Sequence, residues 1–119
     1  MFKAAIPLLR VQASRAALDF YCGRLGFTRR STYQPDPARE DPAYHVLVRE
    51  AAMLHVSSFS GDGVAGGVVT VAVDDIEALH GELLGKGVDT QNGIMAQDWG
   101  NREVYVRDPA GNTIRFQSV

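Results

Sequence analysis

Hydrophobic and polar positions along the chain follow two periods, one typical of helices and one typical of strands. Over residues 14–25, apolar residues recur at the helical spacing i, i+3, i+4 and i+7, at Leu18, Tyr21, Cys22 and Leu25. Ser14 is placed to cap the start of this predicted helix, and Gly26 is placed to end it.

A second helix is predicted after Asp74. Glu77 follows Asp74 by three residues, which is the spacing of a capping box. The apolar stripe of this helix consists of Ile76, Leu79, Leu83 and Leu84. Gly85 and Gly87 are expected to end it.

The remaining periodic stretches alternate with the period of two that is typical of strands. Around the first helix these stretches cover residues 3–10, 27–33, 44–49 and 52–59. Around the second helix they cover residues 68–73, 88–95, 102–107 and 112–119. Each half is therefore a strand, a helix and three further strands, which predicts an α+β fold of two βαβββ modules.

The two halves also resemble each other in sequence. VLVRE at 46–50 matches VYVRD at 104–108, and MLHVSS at 53–58 matches TIRFQS at 113–118, with an offset of about sixty residues. We interpret residues 1–119 as one domain, with module one over 1–59, a Gly-rich linker over 60–67 and module two over 68–119. The Pro-containing loop over 33–43 has no clear match in the second half.

Strand alternation predicts which side chains face a shared concavity. Each helix covers one face of its sheet, so the other face is free to line a ligand crevice in a curved mixed sheet. If Ile114 and Phe116 pack under the helix, then Arg115 faces the concavity. By the same offset His55 faces it too, with Phe59 on the same side, so His55 and Arg115 are equivalent positions.

Composition and charge exclude several classes of function. A hydrophobic content of 45% and a charged content of 22% are those of a globular domain, and the net charge of −2 gives no reason to expect nucleic-acid binding. No apolar run is long enough to span a membrane. Pro7 and Arg10 interrupt the apolar N-terminal run, which makes it a poor signal peptide, so we expect a cytoplasmic location. The lone Cys22 excludes an internal disulfide.

The two predicted βαβββ modules and two sequence motifs resemble a known protein family. The opening IPLLRVQASRAALDFYCGRLGF and the closing WGNREVYVRDPAGNTIRF resemble the vicinal oxygen chelate superfamily. That superfamily includes glyoxalase I, extradiol dioxygenases, fosfomycin-resistance enzymes and bleomycin-resistance proteins. Pro7 in the first strand and Trp99-Gly100 before the seventh are most similar to the bleomycin-resistance branch.

Enzymes of this superfamily hold a divalent metal through His, Glu or Gln side chains on the first and last strands of each module. The resemblance places those positions at Ile6, His55, Val68 and Arg115. Only His55 could ligate a metal, whereas a site needs several converging donors. We therefore expect no metal, no cofactor and no catalytic residue.

The metal-free branch sequesters a ligand in a crevice at a dimer interface. The resemblance implies a homodimer with the first strand exchanged between subunits, and Pro7 suits an edge or crossing strand because it lacks an amide donor. The candidate ligand-binding residues are Trp99, Arg115, His55, Phe59, Glu103, Tyr105 and Asp98.

Two of these residues have structural alternatives. Trp99, in a loop beside a glycine, either offers a stacking surface to a ligand or plugs the end of the core. Arg115 either pairs with Glu103 on the adjacent strand or awaits an anionic group of a ligand. Asp108 is interpreted as a turn residue in DPAG.

Three functions remain open from the sequence. The first is metal-free binding and sequestration of a small molecule, either a bleomycin-type antibiotic or a similar planar compound. The second is an enzyme, either metal-dependent through other ligands or cofactor-free with His55 and Glu103 as acid and base. The third is a dimeric domain whose crevice has lost its ligand.

Overall fold

The computed structural model describes residues 1–119 and contains two modules with the same order of elements. The first module consists of β1 (Leu8–Arg10), α1 (Ser14–Leu18), a π-helix (Asp19–Arg24), β2 (Thr28–Tyr33), β3 (Tyr44–Arg49) and β4 (Ala52–Ser57). The second consists of β5 (Val68–Val73), α2 (Ile76–Gly85), β6 (Met95–Ala96), β7 (Arg102–Arg107) and β8 (Thr113–Ser118). The predicted α+β fold of two βαβββ modules is confirmed.

Each module forms its own four-stranded mixed sheet. The strand orders are β1-β4-β3-β2 and β5-β8-β7-β6, and the first strand of each module runs parallel to the last. His55 lies between Leu8 and Val46, and Arg115 lies between its neighbours on β5 and β7 in the same way. The predicted equivalence of His55 and Arg115 is therefore confirmed.

The core lies on one face of each sheet. Leu54 and Val56 of β4 and Ile114 and Phe116 of β8 are buried there, as the alternation predicts. Buried side chains from both modules join in one hydrophobic cluster, so the modules pack through their helix sides. The opposite face of each sheet is not covered by the helices. Neither α-helix has the length and apolar character needed to cross a membrane.

The first helix differs from the prediction in its geometry and in its cap. α1 is short and continues as the π-helix, whose wider turn carries the adjacent side chains of Phe20 and Tyr21 into the core. Ser14 is not the N-cap but the first helical residue. Its amide and hydroxyl both donate to Asp41, which is 27 residues away in the chain. The groups at this helix end are satisfied by a distant loop.

α2 begins one residue later than predicted. The N-cap is Asp75, whose carboxylate accepts a hydrogen bond from the Ala78 amide at 2.9 Å. Asp74 therefore does not cap the helix, and the expected capping box is absent. Glu77 instead pairs with Arg102 of β7 at 2.8 Å.

Two predicted strands are much shorter in the structure. The strand predicted over 3–10 is reduced to β1, because residues 1–6 are exposed and pair with no strand of the same chain, although the Pro7 carbonyl still accepts from the His55 amide at 3.0 Å. The strand predicted over 88–95 is reduced to β6, because Gln91 and Gly93 adopt φ values of 56° and 68°. These left-handed residues turn the backbone out of the extended conformation.

The turn between β3 and β4 places a glutamate where glycine is preferred. Glu50 has a φ of 51°. We expect Glu50→Gly to raise the free energy of unfolding by about 0.5 kcal/mol, because glycine adopts this region without steric cost. Urea unfolding measures the change. Ala51→Gly is the matched control, since Ala51 does not have a positive φ and should lose stability. A destabilised Glu50→Gly variant would show that the turn is not strained.

Candidate ligand-binding site

The face of the second sheet opposite α2 carries hydrogen bonds that converge on one carboxylate. Glu103 of β7 is only 1% exposed. Its Oε1 accepts from the Tyr105 hydroxyl at 2.8 Å, from Gln97 Nε2 at 3.0 Å and from Arg115 Nη2 at 3.1 Å. Its Oε2 accepts from Gln117 Nε2 at 3.2 Å. We call Glu103, Tyr105, Arg115 and Gln117 the second-module floor.

Strand alternation explains why these four side chains meet. Glu103 and Tyr105 are alternate residues of β7, and Arg115 and Gln117 are alternate residues of β8. The antiparallel register sets Glu103 opposite Gln117 and Tyr105 opposite Arg115. Each pair on one strand therefore faces its partner on the next.

Arg115 is held on two sides within the floor. Its guanidinium pairs with Glu103, and its Cζ lies 4.9 Å from the centroid of the Tyr105 ring. Of the two roles considered for Arg115, the structure therefore shows the pairing with Glu103 on the adjacent strand. Its Nε is buried and has no hydrogen-bond partner, and Nη2 is the one guanidinium nitrogen that donates within the chain.

The floor keeps Glu103 ionised despite its burial. Burial alone would raise the pKa of the Glu103 carboxyl, but hydrogen bonds from Tyr105 and Arg115 outweigh it and lower the pKa below its ordinary value. The hydrogen bond to Glu103 also raises the pKa of Arg115 and that of Tyr105. At neutral pH the negative charge of Glu103 is therefore balanced by the positive charge of Arg115.

We expect Arg115→Met to destabilise the protein in a pH-dependent manner. In the wild type the native pKa of Glu103 lies below its unfolded value of about 4.3, so its stabilising contribution is present above that pH. This contribution is lost as the pH falls through the native pKa. The gap in melting temperature between wild type and variant should therefore be larger at neutral pH than in acid below about pH 4.

Gln117→Ala is the matched control for this experiment, because it removes a neutral donor from the same carboxylate. Its destabilisation should change little between the two pH values. A gap for Arg115→Met that does not vary with pH would contradict an ionised Glu103.

Trp99 stands beside the floor on a short, closed loop. The Gln97 amide donates to the Asn101 carbonyl at 2.8 Å, and the Gly100 amide donates to the Gln97 carbonyl at 2.9 Å. The Gln97 side chain ties this loop to Glu103. Trp99 is 62% exposed, so the indole does not plug the core of this chain. Asp98, on the same loop, is exposed as well.

The equivalent face of the first sheet carries a second polar cluster. His55 Nδ1 shares a hydrogen bond with the Tyr44 hydroxyl, and the Ser57 hydroxyl donates to Asp62 at 2.6 Å. Burial and the nearby charge of Asp62 raise the pKa of Tyr44. Tyr44 and His55 occupy the positions of Glu103 and Arg115 in the other module, so each face carries one diagonal polar pair.

Phe59 extends the first face with an aromatic surface. Its ring stacks on Tyr33 with the centroids 6.0 Å apart and the planes 12° from parallel. Tyr33 is the last residue of β2 and precedes the Pro-containing loop that only the first module has. The end of β2 thus adds an aromatic ring beside Phe59.

The structure gathers only some of the candidate residues into one cluster. Glu103, Tyr105 and Arg115 lie together in the floor, with Asp98 and Trp99 on the adjoining loop, whereas His55 and Phe59 belong to the other sheet. Sequence reasoning missed Gln97 and Tyr44. No local signal identifies Gln97, and the sequence match of 46–50 with 104–108 pairs Tyr44 with Arg102, so only the strand register in the structure makes Tyr44 equivalent to Glu103.

The metal positions implied by the resemblance do not form a ligand set. Ile6 and Val68 are exposed hydrocarbon side chains, and Arg115 is a cation paired with Glu103. No group of three or more His, Cys, Asp or Glu side chains could hold a metal ion. The donor chemistry of these positions therefore does not fit a divalent metal.

The remaining titratable candidates have structural roles. His45 is buried between the hydroxyls of Ser14 and Thr32, and burial lowers its pKa. Burial raises the pKa of the Cys22 thiol, which disfavours a nucleophilic thiolate. Asp108 is buried in the turn between β7 and β8, as its interpretation as a turn residue predicts.

Known proteins share this architecture over the whole chain. A family model described as "Glyoxalase superfamily protein" matches residues 1–119. The bleomycin-binding protein from Streptomyces verticillus, solved with copper(II)-bleomycin, is 27% identical, covers 100% of this chain and 98% of its own, and has a TM-score of 0.76. A bleomycin-binding protein complexed with bleomycin is 19% identical, with 99% of each chain covered and a TM-score of 0.78.

An enzyme is also among the similar structures. Lactoylglutathione lyase from Agrobacterium tumefaciens is 17% identical, covers 97% of this chain and 92% of its own, and has a TM-score of 0.72. At this identity the likeness concerns the fold alone. No curated protein matches the sequence.

Proposed function

The chain belongs to the glyoxalase superfamily, and from this premise we propose that it binds and sequesters a planar small molecule without a metal ion. The ligand is of the bleomycin type or a similar planar compound. The observation that carries the proposal is the exposed indole of Trp99 on a loop fastened to Glu103. An exposed, fixed aromatic ring beside a polar floor is suited to stacking and orienting a flat ligand.

The floor suits binding better than catalysis. Glu103 accepts four hydrogen bonds, so it is already occupied as an acceptor and is a poor general base. Only Nη2 of Arg115 donates a side-chain hydrogen bond within the chain, and a third of this side chain is exposed, so the remaining guanidinium N–H groups favour a ligand with oxygen acceptors. This reasoning disfavours the acid–base enzyme with His55 and Glu103.

The proposed crevice is completed by a second copy of the chain. Met1 and Phe2 are fully exposed and residues 1–6 have no strand partner in their own chain, which supports a homodimer with an exchanged N-terminal segment that ends near Pro7. The first-module face of one copy, with His55 and Phe59, would then lie opposite the second-module floor of the other. This assembly is part of the proposal.

The single tryptophan provides the test. Protein treated with a chelator is titrated with metal-free bleomycin, a panel of planar drugs and aromatic carboxylates while Trp99 fluorescence is followed. We expect saturable quenching by at least one compound, with a dissociation constant in the micromolar range or below, or about −8 kcal/mol.

A flat response to every compound would contradict the proposal. Quenching or turnover that appears only after a divalent metal is added back would instead favour the metal-dependent enzyme. Quenching that is unchanged by metal addition supports sequestration.

A further inference from the structure

A cavity of about 420 Å³ opens at the seam between the two modules, on the helix side of the sheets. We call it the seam cavity. Its apolar lining includes the buried side chains of Leu25, Phe27 and Phe116 and the half-buried side chains of Val71 and Leu79. Its volume lies in the range of small-molecule sites, which is about 300–1,000 Å³. None of the residues of the second-module floor lines it, so it is separate from the concave-face site.

The rim of the seam cavity is strongly acidic. It carries four carboxylates, on Glu50, Asp74, Asp75 and Glu82, and one guanidinium, on Arg49. This gives the rim a formal charge of −3, which is more negative than the −2 of the whole chain. The opening is therefore net negative, whereas the rest of the chain has a net charge of +1, from −2 minus −3.

The one cation on the rim is already engaged. Arg49 binds Glu82 through two hydrogen bonds of 2.6 and 2.9 Å, and a third goes to the Leu25 carbonyl. Glu50 makes only a 3.6 Å contact with Arg49 Nε, and Asp74 makes no ion pair. Two carboxylates at the opening thus remain available to an incoming positive charge.

We propose that the seam cavity binds a small organic cation, namely an amine whose aromatic or aliphatic body fills the apolar interior. The ammonium group lies at the rim near Glu50 and Asp74, where it stays partly hydrated. A neutral molecule of the same shape gains the apolar contacts without the charge interaction. An anion is repelled by the rim, so charge complementarity selects the cation.

Occupation of this cavity also affects stability. Both modules contribute to its lining, with Leu25 and Phe27 from the first and Leu79 and Phe116 from the second. A ligand that binds only the folded chain raises the melting temperature, and the rise grows with the ratio of ligand concentration to dissociation constant. The cavity therefore offers a second readout that does not depend on Trp99.

The test uses three probes that share one apolar body: naphthylmethylammonium, naphthylmethanol and naphthylacetate. Amide chemical-shift changes in the full chain map and quantify binding, and thermal shifts confirm it. We expect changes around Val71, Leu79 and Phe116, with the cation bound about fivefold more tightly than the alcohol at low salt. Added salt should reduce this preference, because the rim charges are exposed.

Variants of the rim carboxylates test whether they cause the preference for the cationic probe over the alcohol. The double variant Glu50→Gln/Asp74→Asn should bind the cation and the alcohol about equally. Glu77→Gln is the matched control, since it removes one carboxylate of α2 that does not line the cavity, and it should keep the preference. Ala78→Trp places a bulky ring at the opening and should block all three probes. Trp99→Ala should leave binding unchanged, which separates this site from the proposed sequestration site.

Three outcomes would overturn the inference. The first is equal affinity for the three probes, and the second is shift changes confined to the second-module floor. The third is the absence of any shift change with all probes. If Ala78→Trp fails to fold, the shift map of the wild type and the charge variants still decide between these outcomes.

Discussion

Replacing Asp108 with alanine is expected to lower the free energy of unfolding by about 3–5 kcal/mol. Asp108 is 4% exposed, and its Oδ2 accepts from the Tyr21 hydroxyl at 2.7 Å and from Asn112 Nδ2 at 2.9 Å. Its Oδ1 accepts from the amides of Ala110 and Asn112, both at 2.9 Å. The alanine leaves four donors without this acceptor.

The effect is large because this carboxylate joins separate parts of the fold. Burial and the hydrogen bond to Asp108 raise the pKa of Tyr21 well above its ordinary value. The Asn112 side chain continues the network to the amides of Gly66 and Gly67 and to the Arg10 carbonyl. One turn of module two therefore holds the π-helix, the end of β1 and the linker.

Urea unfolding of Asp108→Ala and Tyr21→Phe measures this contribution. Tyr21→Phe is the matched control, because it removes one donor and leaves Asp108 three others, so its cost should be about 1 kcal/mol. A loss below about 1 kcal/mol for Asp108→Ala would mean that water replaces the network and that the turn does not hold the modules together.

Trp99→Ala is expected to weaken the binding of a ligand that quenches the wild-type indole by at least about tenfold, or 1.4 kcal/mol. An exposed ring contributes little to the core, so the free energy of unfolding should change by less than about 0.5 kcal/mol. Isothermal titration calorimetry measures the affinity, because the variant has no tryptophan left to observe.

Two control variants accompany this measurement. Trp99→Phe keeps an aromatic face and should recover part of the affinity. Val64→Ala removes another exposed apolar side chain, in the linker, and should change neither quantity. Loss of stability in Trp99→Ala with unchanged affinity would show that the indole packs in the assembled protein and does not contact ligand.

The hairpin of β7 and β8 is an element that the local sequence pattern predicts correctly. Alternation and the DPAG turn predict strands over 102–107 and 112–119, and the structure has β7 and β8 at nearly those bounds. The same alternation places Glu103 and Arg115 on the free face and allows for their pairing. Turn chemistry and a period of two act between near neighbours, so the sequence displays them directly.

Other elements depend on contacts that no short pattern reveals. The predicted strand over 88–95 fails because Gln91 and Gly93 turn the chain beside α2, and the first helix widens into a π-helix to bury Phe20 with Tyr21. Asp41 satisfies the start of α1 from a loop 27 residues away. In each case tertiary packing overrides a reasonable local preference.

By itself the sequence determined the two βαβββ modules, their equivalence at His55 and Arg115, and the face that each strand turns to the core. These features follow from hydrophobic periodicity, which is visible within a short stretch of sequence, and from the similarity of the two halves. Only the tertiary structure decided that Gln97 fastens the Trp99 loop to Glu103, that Asp108 joins the modules, and that the seam encloses an acidic-rimmed cavity. Those features need side chains from distant parts of the chain to converge, and the position of each partner is set by the packing of the whole core.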